Sequence, residues 1–197
     1  MHIPPEHDNL SEKEIAMQLQ NIWHHFCTIT RHRHMVIRHC RKAGIFWQGL
    51  RHDLSKYSPT EFFAGVKYYQ GTRSPNEQER AEQGYSLAWM HHKGRNRHHF
   101  EYWTDYCTGS GKLEPVKMPL RFVAEMFCDR VAASKIYNGE RYQDSDALTY
   151  FLKAKQQRFI HPDTSQLLES LLRMLAEEGE EKTFAHLRRL IKEVKTY

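Results

Sequence analysis

The chain has 197 residues, 40% apolar, 27% charged and 12% aromatic, with 10 Gly and 7 Pro, which predicts one domain with a real core and excludes disordered, collagenous and low-complexity classes. No apolar run approaches the ~20 residues of a membrane span, and Met1-His2-Ile3-Pro4-Pro5 lacks signal-peptide character, so a cytoplasmic protein that makes no membrane contact is expected. The net charge is +5, and its excess lies in residues 1–100, with 14 Lys/Arg against 9 Asp/Glu; ten of the 14 His fall between residues 24 and 99.

Apolar residues recur three and four apart, and no segment alternates with period two, which predicts an all-α fold. Ser11 stands three before Glu14, a capping-box spacing, and a helix over 11–42 carries Ile15, Leu19, Ile22, Trp23 and Phe26 at helical spacing, ended by Gly44. A second helix is expected from Ile45 to about Ser55, and a third from Pro59 through Phe62, Phe63, Val66 and Tyr69 to Gly71. Another starts near Glu77, breaks near Gly94 and resumes from Arg97 to Tyr106. After the loop Thr108-Gly109-Ser110-Gly111, helices are expected from Pro119 to Tyr137 and from about Asp146 to Phe159. A terminal hairpin follows, with Leu167, Leu168, Leu171, Leu172 and Leu175 inward and Gly179 between its arms, the second running from Glu180 to Lys195. The four cysteines, 27, 40, 107 and 128, make no Cys-x-x-Cys pair and read as core thiols.

An ionisable group on an apolar helix face must find a partner or cost about 1–3 kcal/mol for each unmet hydrogen bond. Asp129 is in register with Phe122, Met126, Ala133 and Ile136; Asp53 with Phe46, Leu50 and Tyr57, its neighbour His52 turned about 100° away; His34 follows Trp23, Cys27 and Thr30. Each alone reads as a buried hydrogen bond or ion pair. Together, inward carboxylates and imidazoles from separate helices form the oxygen–nitrogen set that divalent transition metals favour.

His52-Asp53-Leu54-Ser55-Lys56 and Cys128-Asp129-Arg130 resemble the signature of the HD-domain metal-dependent phosphohydrolases, a His, an adjacent His-Asp and a distant Asp, with Ser55 where that superfamily has Gly. The resemblance covers residues 34–130 and implies an HD-like helical core over about 20–140, the C-terminal helices from about 145 to 197 lying outside it. It assigns the metal ligands His34, His52, Asp53 and Asp129, with His24, His25 and His32 as alternatives for the first His because the spacing to His52 is short, and His39 behind them. Two-metal members insert further histidines, here His91-His92 and His98-His99-Phe100-Glu101. Glu101 stands one residue later than in the cyclic-dinucleotide branch, and the Gly-Tyr-Pro motif is missing, so that specificity is not carried over. Adjacent helical side chains diverge, so His92 is preferred as ligand, with His98 or His99, while His91 and Glu101 orient them. Residues 44–56 and 89–103 also resemble a family of uncharacterised bacterial and phage proteins, which implies no substrate.

Four His and two Asp suit one or two ions of Mn, Fe, Co, Ni or Zn, and such ions activate water for attack on phosphorus. Asp53 and Lys56 are the expected catalytic residues. Lys56, Lys93, Arg95, Asn96, Arg97 and Arg130 flank the ligands and are candidates to bind a small phosphorylated substrate such as a nucleotide. The alternatives are an HD-type di-iron oxygenase, a basic helical module that binds nucleic acid through Phe100, Tyr102, Trp103 and Tyr106, and a non-catalytic interaction platform. Thr108-Gly109-Ser110-Gly111-Lys112 is no phosphate loop, having Tyr106 for the first Gly and Leu113 for Ser/Thr.

Overall fold

The computed structural model describes residues 12–194 and 197, and side chains from residue 16 onward. Met1–Pro5, Ser11 and the side chains of Glu14 and Ile15 lie outside the described residues, as does Lys195. The described chain is mainly all-α. Its helices are α1 (Glu12–Ala43), α2 (Phe46–Gly49), α3 (Pro59–Lys67), α4 (Pro75–Gln83), α5 (Leu87–Arg95), α6 (Leu120–Asn138), α7 (Asp146–Lys153) and α8 (Pro162–Glu193).

The core is where α1, α6 and α8 meet, with Phe151 of α7 against them. Phe127, Phe151, Leu168, Leu171, Leu172, Leu175 and Leu187 are fully buried, each worth about 1.5–3 kcal/mol, a reserve that can carry polar groups elsewhere. Gly179 at φ 81°, ψ 173° interrupts α8. A straight helix of this length would span about 48 Å, yet Thr164 Oγ1 and Tyr197 OH are 3.0 Å apart, so the two arms fold back as the expected hairpin. No described helix is long and apolar enough to cross a membrane.

The chain between α1 and α6 departs from expectation. The helix expected over 45–55 stops at Gly49, and a turn leads to a 3₁₀ segment, Leu54–Tyr57. Gly49 is what lets α2 lie on α1, since a Cβ there would sit 2.6 Å from Cys40 Cβ. Gly84, left-handed at φ 81°, ends α4, and Ser86 caps α5 by accepting from the Trp89 N–H, so one expected helix is two. The helix expected over 97–106 is a single 3₁₀ turn, Phe100–Tyr102, followed by an antiparallel hairpin of β1 (Thr104–Tyr106) and β2 (Leu113–Pro115). The Gly-rich loop joins those strands. Strands of three residues are too short to display alternation. The helix expected to reach Phe159 ends at Lys153.

The inward line of α1 is His25, Ile29, His32, Val36, His39, Cys40 and Ala43, whereas Leu19, Trp23 and Phe26 face solvent. His34 is therefore exposed. The stripe through Trp23, Cys27, Thr30 and His34 lies about 160° around the helix from the buried line, on nearly the opposite face. Of the cysteines, Cys40 and Cys128 are buried as expected, while Cys27 and Cys107 are partly exposed.

Candidate metal centre

Asp53 is the pivot. It is 2% exposed and has the only positive φ of a described non-glycine residue, 53°. Asp is among the few residues that enter the left-handed region, at a cost of about 1–2 kcal/mol. This backbone turn is why His52 and Asp53, which would diverge on a continuous helix, both point inward. Arg33 of α1 holds the turn by donating to the carbonyls of Leu50 and His52.

Two ligand sets share Asp53: His32, His52, Asp53 and Asp129 on one side, and Asp53, His92, His98 and His99 on the other, the ligand atoms of each set lying within 4.8 Å of one another. His32 Nε2 is 2.9 Å from Asp129 Oδ1, and His52 Nε2 is 3.3 Å from Asp53 Oδ2 and 3.5 Å from Asp129 Oδ1. On the other side, His92 Nε2 and His98 Nε2 are 3.3 and 3.5 Å from Asp53 Oδ1, and His92 Nε2 is 2.8 Å from His99 Nε2. Yet His32 Nε2, His52 Nε2, His98 Nε2 and Asp53 Oδ1 have no hydrogen-bond partner among the described residues. These atoms approach without the alignment of hydrogen bonds. Four unmet buried polar atoms cost several kcal/mol at about 1–3 each, a large share of the ~5–15 kcal/mol that holds a domain together. One ion in each set would meet all four between them, and each set can hold one.

The far nitrogens of the rings are held by two carboxylates. Glu125 Oε1 accepts from His52 Nδ1 at 3.0 Å and lies 3.3 Å from His98 Nδ1. Glu61 accepts from His91 Nδ1 at 2.6 Å through Oε1 and from His92 Nδ1 at 2.7 Å through Oε2. A ring that donates from Nδ1 to a carboxylate presents Nε2 to a metal. Asn96 Nδ2 donates to the His92 carbonyl and to Ser55 Oγ, each at 2.8 Å, tying the two histidine loops together.

Burial alone would raise the Asp53 carboxyl, but His52, Lys56 and His92 hold it well below the usual range. Burial likewise opposes charge on His52, and Asp53, Asp129 and Glu125 outweigh it, raising the imidazole. Asp129 is held low, against its burial, by His32 and His52. His99 is pushed down by burial and by His98 and His92. Lys56 Nζ, 2.7 Å from Asp53 Oδ2, has its proton stabilised by Asp53 and Asp129 against the cost of burial.

Of the expected ligands, His52, Asp53, Asp129, His92, His98 and His99 converge, and His32 stands where His34 was expected. Lys56 lines the cleft above the cluster, but Lys93, Arg95, Arg97, Asn96 and Arg130 do not. Arg95 is exposed and donates to the His91 carbonyl, Asn96 serves the loops, and Arg130 Nε is buried without a partner among the described residues. Arg73 lines the cleft in their place. Glu101 is outside both ligand sets, its Oε2 likewise without a partner and its carboxyl raised by burial, so it orients none of the site's rings; His91 does sit on the carboxylate that orients His92. Phe100 is core, and Trp103 packs on Phe122 with ring centroids 5.5 Å apart, leaving Tyr102 and Tyr106 exposed. Glu125 and Glu61 escaped the sequence reading. Glu125 is one turn before Asp129 on α6; Glu61 follows Ser58 with capping-box spacing, yet Ser58 makes no such bond and Glu61 binds histidines instead.

No curated protein and no solved structure matches the chain. A family described only as of unknown function, DUF5662, matches residues 21–174, and the chain belongs to that family.

Proposed function

We propose that the protein is a metal-dependent phosphohydrolase of HD type, acting on a nucleotide or related small phosphate ester. The observation that carries this reading is the shared Asp53: one buried carboxylate flanked by two histidine-rich ligand sets, its Oδ1 and three imidazole nitrogens without partners among the described residues. The ligands would be His32, His52, Asp53 and Asp129 on one side and Asp53, His92 and His98 or His99 on the other. Nitrogen-rich sets of this kind suit Mn, Fe, Co, Ni or Zn better than Mg. Divalent ions held there supply Lewis acidity toward a phosphoryl oxygen and a lowered pKa for water.

The chain's own groups complete the chemistry. Lys56 is charged, lies at the cleft and neutralises a phosphate while keeping Asp53 ionised. Glu125 and Glu61 fix the tautomers of His52, His98 and His92. The partly exposed Asp129 lies on the open side, where a reacting phosphate would enter.

Elemental analysis of the purified protein, with hydrolysis assayed over a panel of phosphate esters, tests the reading. One or two transition ions per chain and a turnover abolished by Asp53→Asn are expected. A metal-free protein that is insensitive to chelators would overturn it, and iron with an oxygen-dependent optical change would replace it by the di-iron oxygenase reading.

A further inference from the structure

Among the described residues, every buried imidazole but one faces a polar partner. His32 lies against Asp129, His39 Nδ1 donates to the Cys128 carbonyl at 3.2 Å, His52 and His98 share Glu125, and His92 has Glu61. His25 is 6% exposed and has no hydrogen bond to any described residue, yet it lines the same cleft as Asp53, Lys56 and Asp129.

The fold makes room for this ring. Gly65 lies in the interior of α3, where glycine is disfavoured, and a Cβ at that position would sit 2.2 Å from His25 Nε2. Phe62 and Tyr69 pack beside the imidazole, with centroids 5.4 and 6.0 Å away. Thr28 Oγ1 and Tyr69 OH, 3.1 Å apart, add hydroxyls to the same wall. His25 is two turns before His32 on α1, about 10 Å along the helix.

We infer that His25 recognises the organic portion of a compact phosphate ester of the nucleoside monophosphate class, whose phosphoryl end lies at Asp53 and Asp129. The inference rests on the phosphohydrolase reading and adds its substrate side. The rise of about 10 Å from His25 to His32, with His32 Nε2 2.9 Å from Asp129 Oδ1, matches a ligand of one phosphate and one sugar-base unit, and the cavity of about 130 Å³ holds on the order of ten waters, the volume of one small ligand. Burial, with Lys56 adding to it, lowers His25 to about 4. At neutral pH the ring therefore offers one donor and one acceptor, a match for an uncharged polar edge rather than for the phosphate.

Titration calorimetry on the Mn-loaded full-length protein tests this, with inorganic phosphate and the non-hydrolysable methylene-phosphonate analogues of the four common nucleoside monophosphates as probes. At least one analogue should bind tenfold or more tightly than phosphate. His25→Ala and Gly65→Ala should each weaken that analogue at least tenfold, and His25→Gln, which keeps a donor and an acceptor, should retain most of its affinity. Phosphate affinity, Mn content and circular dichroism should stay as in the parent. Equal losses for phosphate and analogue, no loss in the Ala variants, or a parent that binds phosphate but no analogue would each overturn the assignment of His25. A Mn-loaded parent that does not bind phosphate would defeat the phosphohydrolase reading, and this inference with it.

Discussion

Glu125 Oε1 accepts from His52 Nδ1 at 3.0 Å, so a carboxylate on α6 sets the direction in which a histidine from the distant α2 turn presents its other nitrogen. The same oxygen is 3.3 Å from His98 Nδ1. Glu125→Gln keeps the volume but turns an anion that accepts from both rings into an amide that can accept weakly from one. Metal affinity should fall about 10–100-fold, read by competition with a chelator, while the helical circular dichroism is retained. Unchanged affinity would show that the rings are held by packing alone.

Asp53 belongs to both ligand sets and Asp129 to one. Asp53→Asn should therefore abolish metal binding, whereas Asp129→Asn should leave one ion in the His92–His98–His99 set. Elemental analysis gives the stoichiometry. Equal residual metal in the two variants would contradict a shared carboxylate.

His32 and His34 provide a paired test of helical phase. His32→Ala should remove metal from its set, with a loss of activity of several orders of magnitude. His34→Ala, at an exposed position, should leave stability within about 0.5 kcal/mol of the parent and metal content unaltered, by urea unfolding and elemental analysis.

His39 gives a prediction in pH. Burial lowers its imidazole to about 4, against about 6.5 in an unfolded chain. Between these values the unfolded state holds the extra proton, so stability is full above pH 6.5 and falls as pH drops toward 4, by about 1.4 kcal/mol per unit. His39→Gln, which can still donate to the Cys128 carbonyl, should flatten the slope of stability against pH by about that amount in chelated protein. Urea unfolding at pH 6.5, 5.5 and 4.5 measures it, and parallel slopes would refute it.

The helical class, the α8 hairpin and the cluster of His52, Asp53, Asp129, His92 and the 98–99 pair were legible because each lies in a local pattern: a leucine stripe broken by Gly179, a His-Asp dipeptide, an Asp on an apolar face. The phase of α1 was not. Its first half carries Leu19, Trp23 and Phe26 on the outside, and a stripe extrapolated from them selects His34 over His32. Lys93, Arg95 and Arg130 failed as cleft residues because sequence adjacency to a ligand says nothing of direction once the helix ends or the residue is 100° around it. Glu61 and Glu125 were not legible, since what identifies them is a partner ring on another element, a relation that one helix's pattern does not contain.

The left-handed turn at Asp53 sets folding against chemistry. Glycine adopts that backbone freely, so Asp53→Gly should leave a chain more robust than Asp53→Ala by about 1 kcal/mol, though equally inert. At this turn the backbone alone would favour glycine over any other replacement, whereas only the carboxylate reaches both ligand sets.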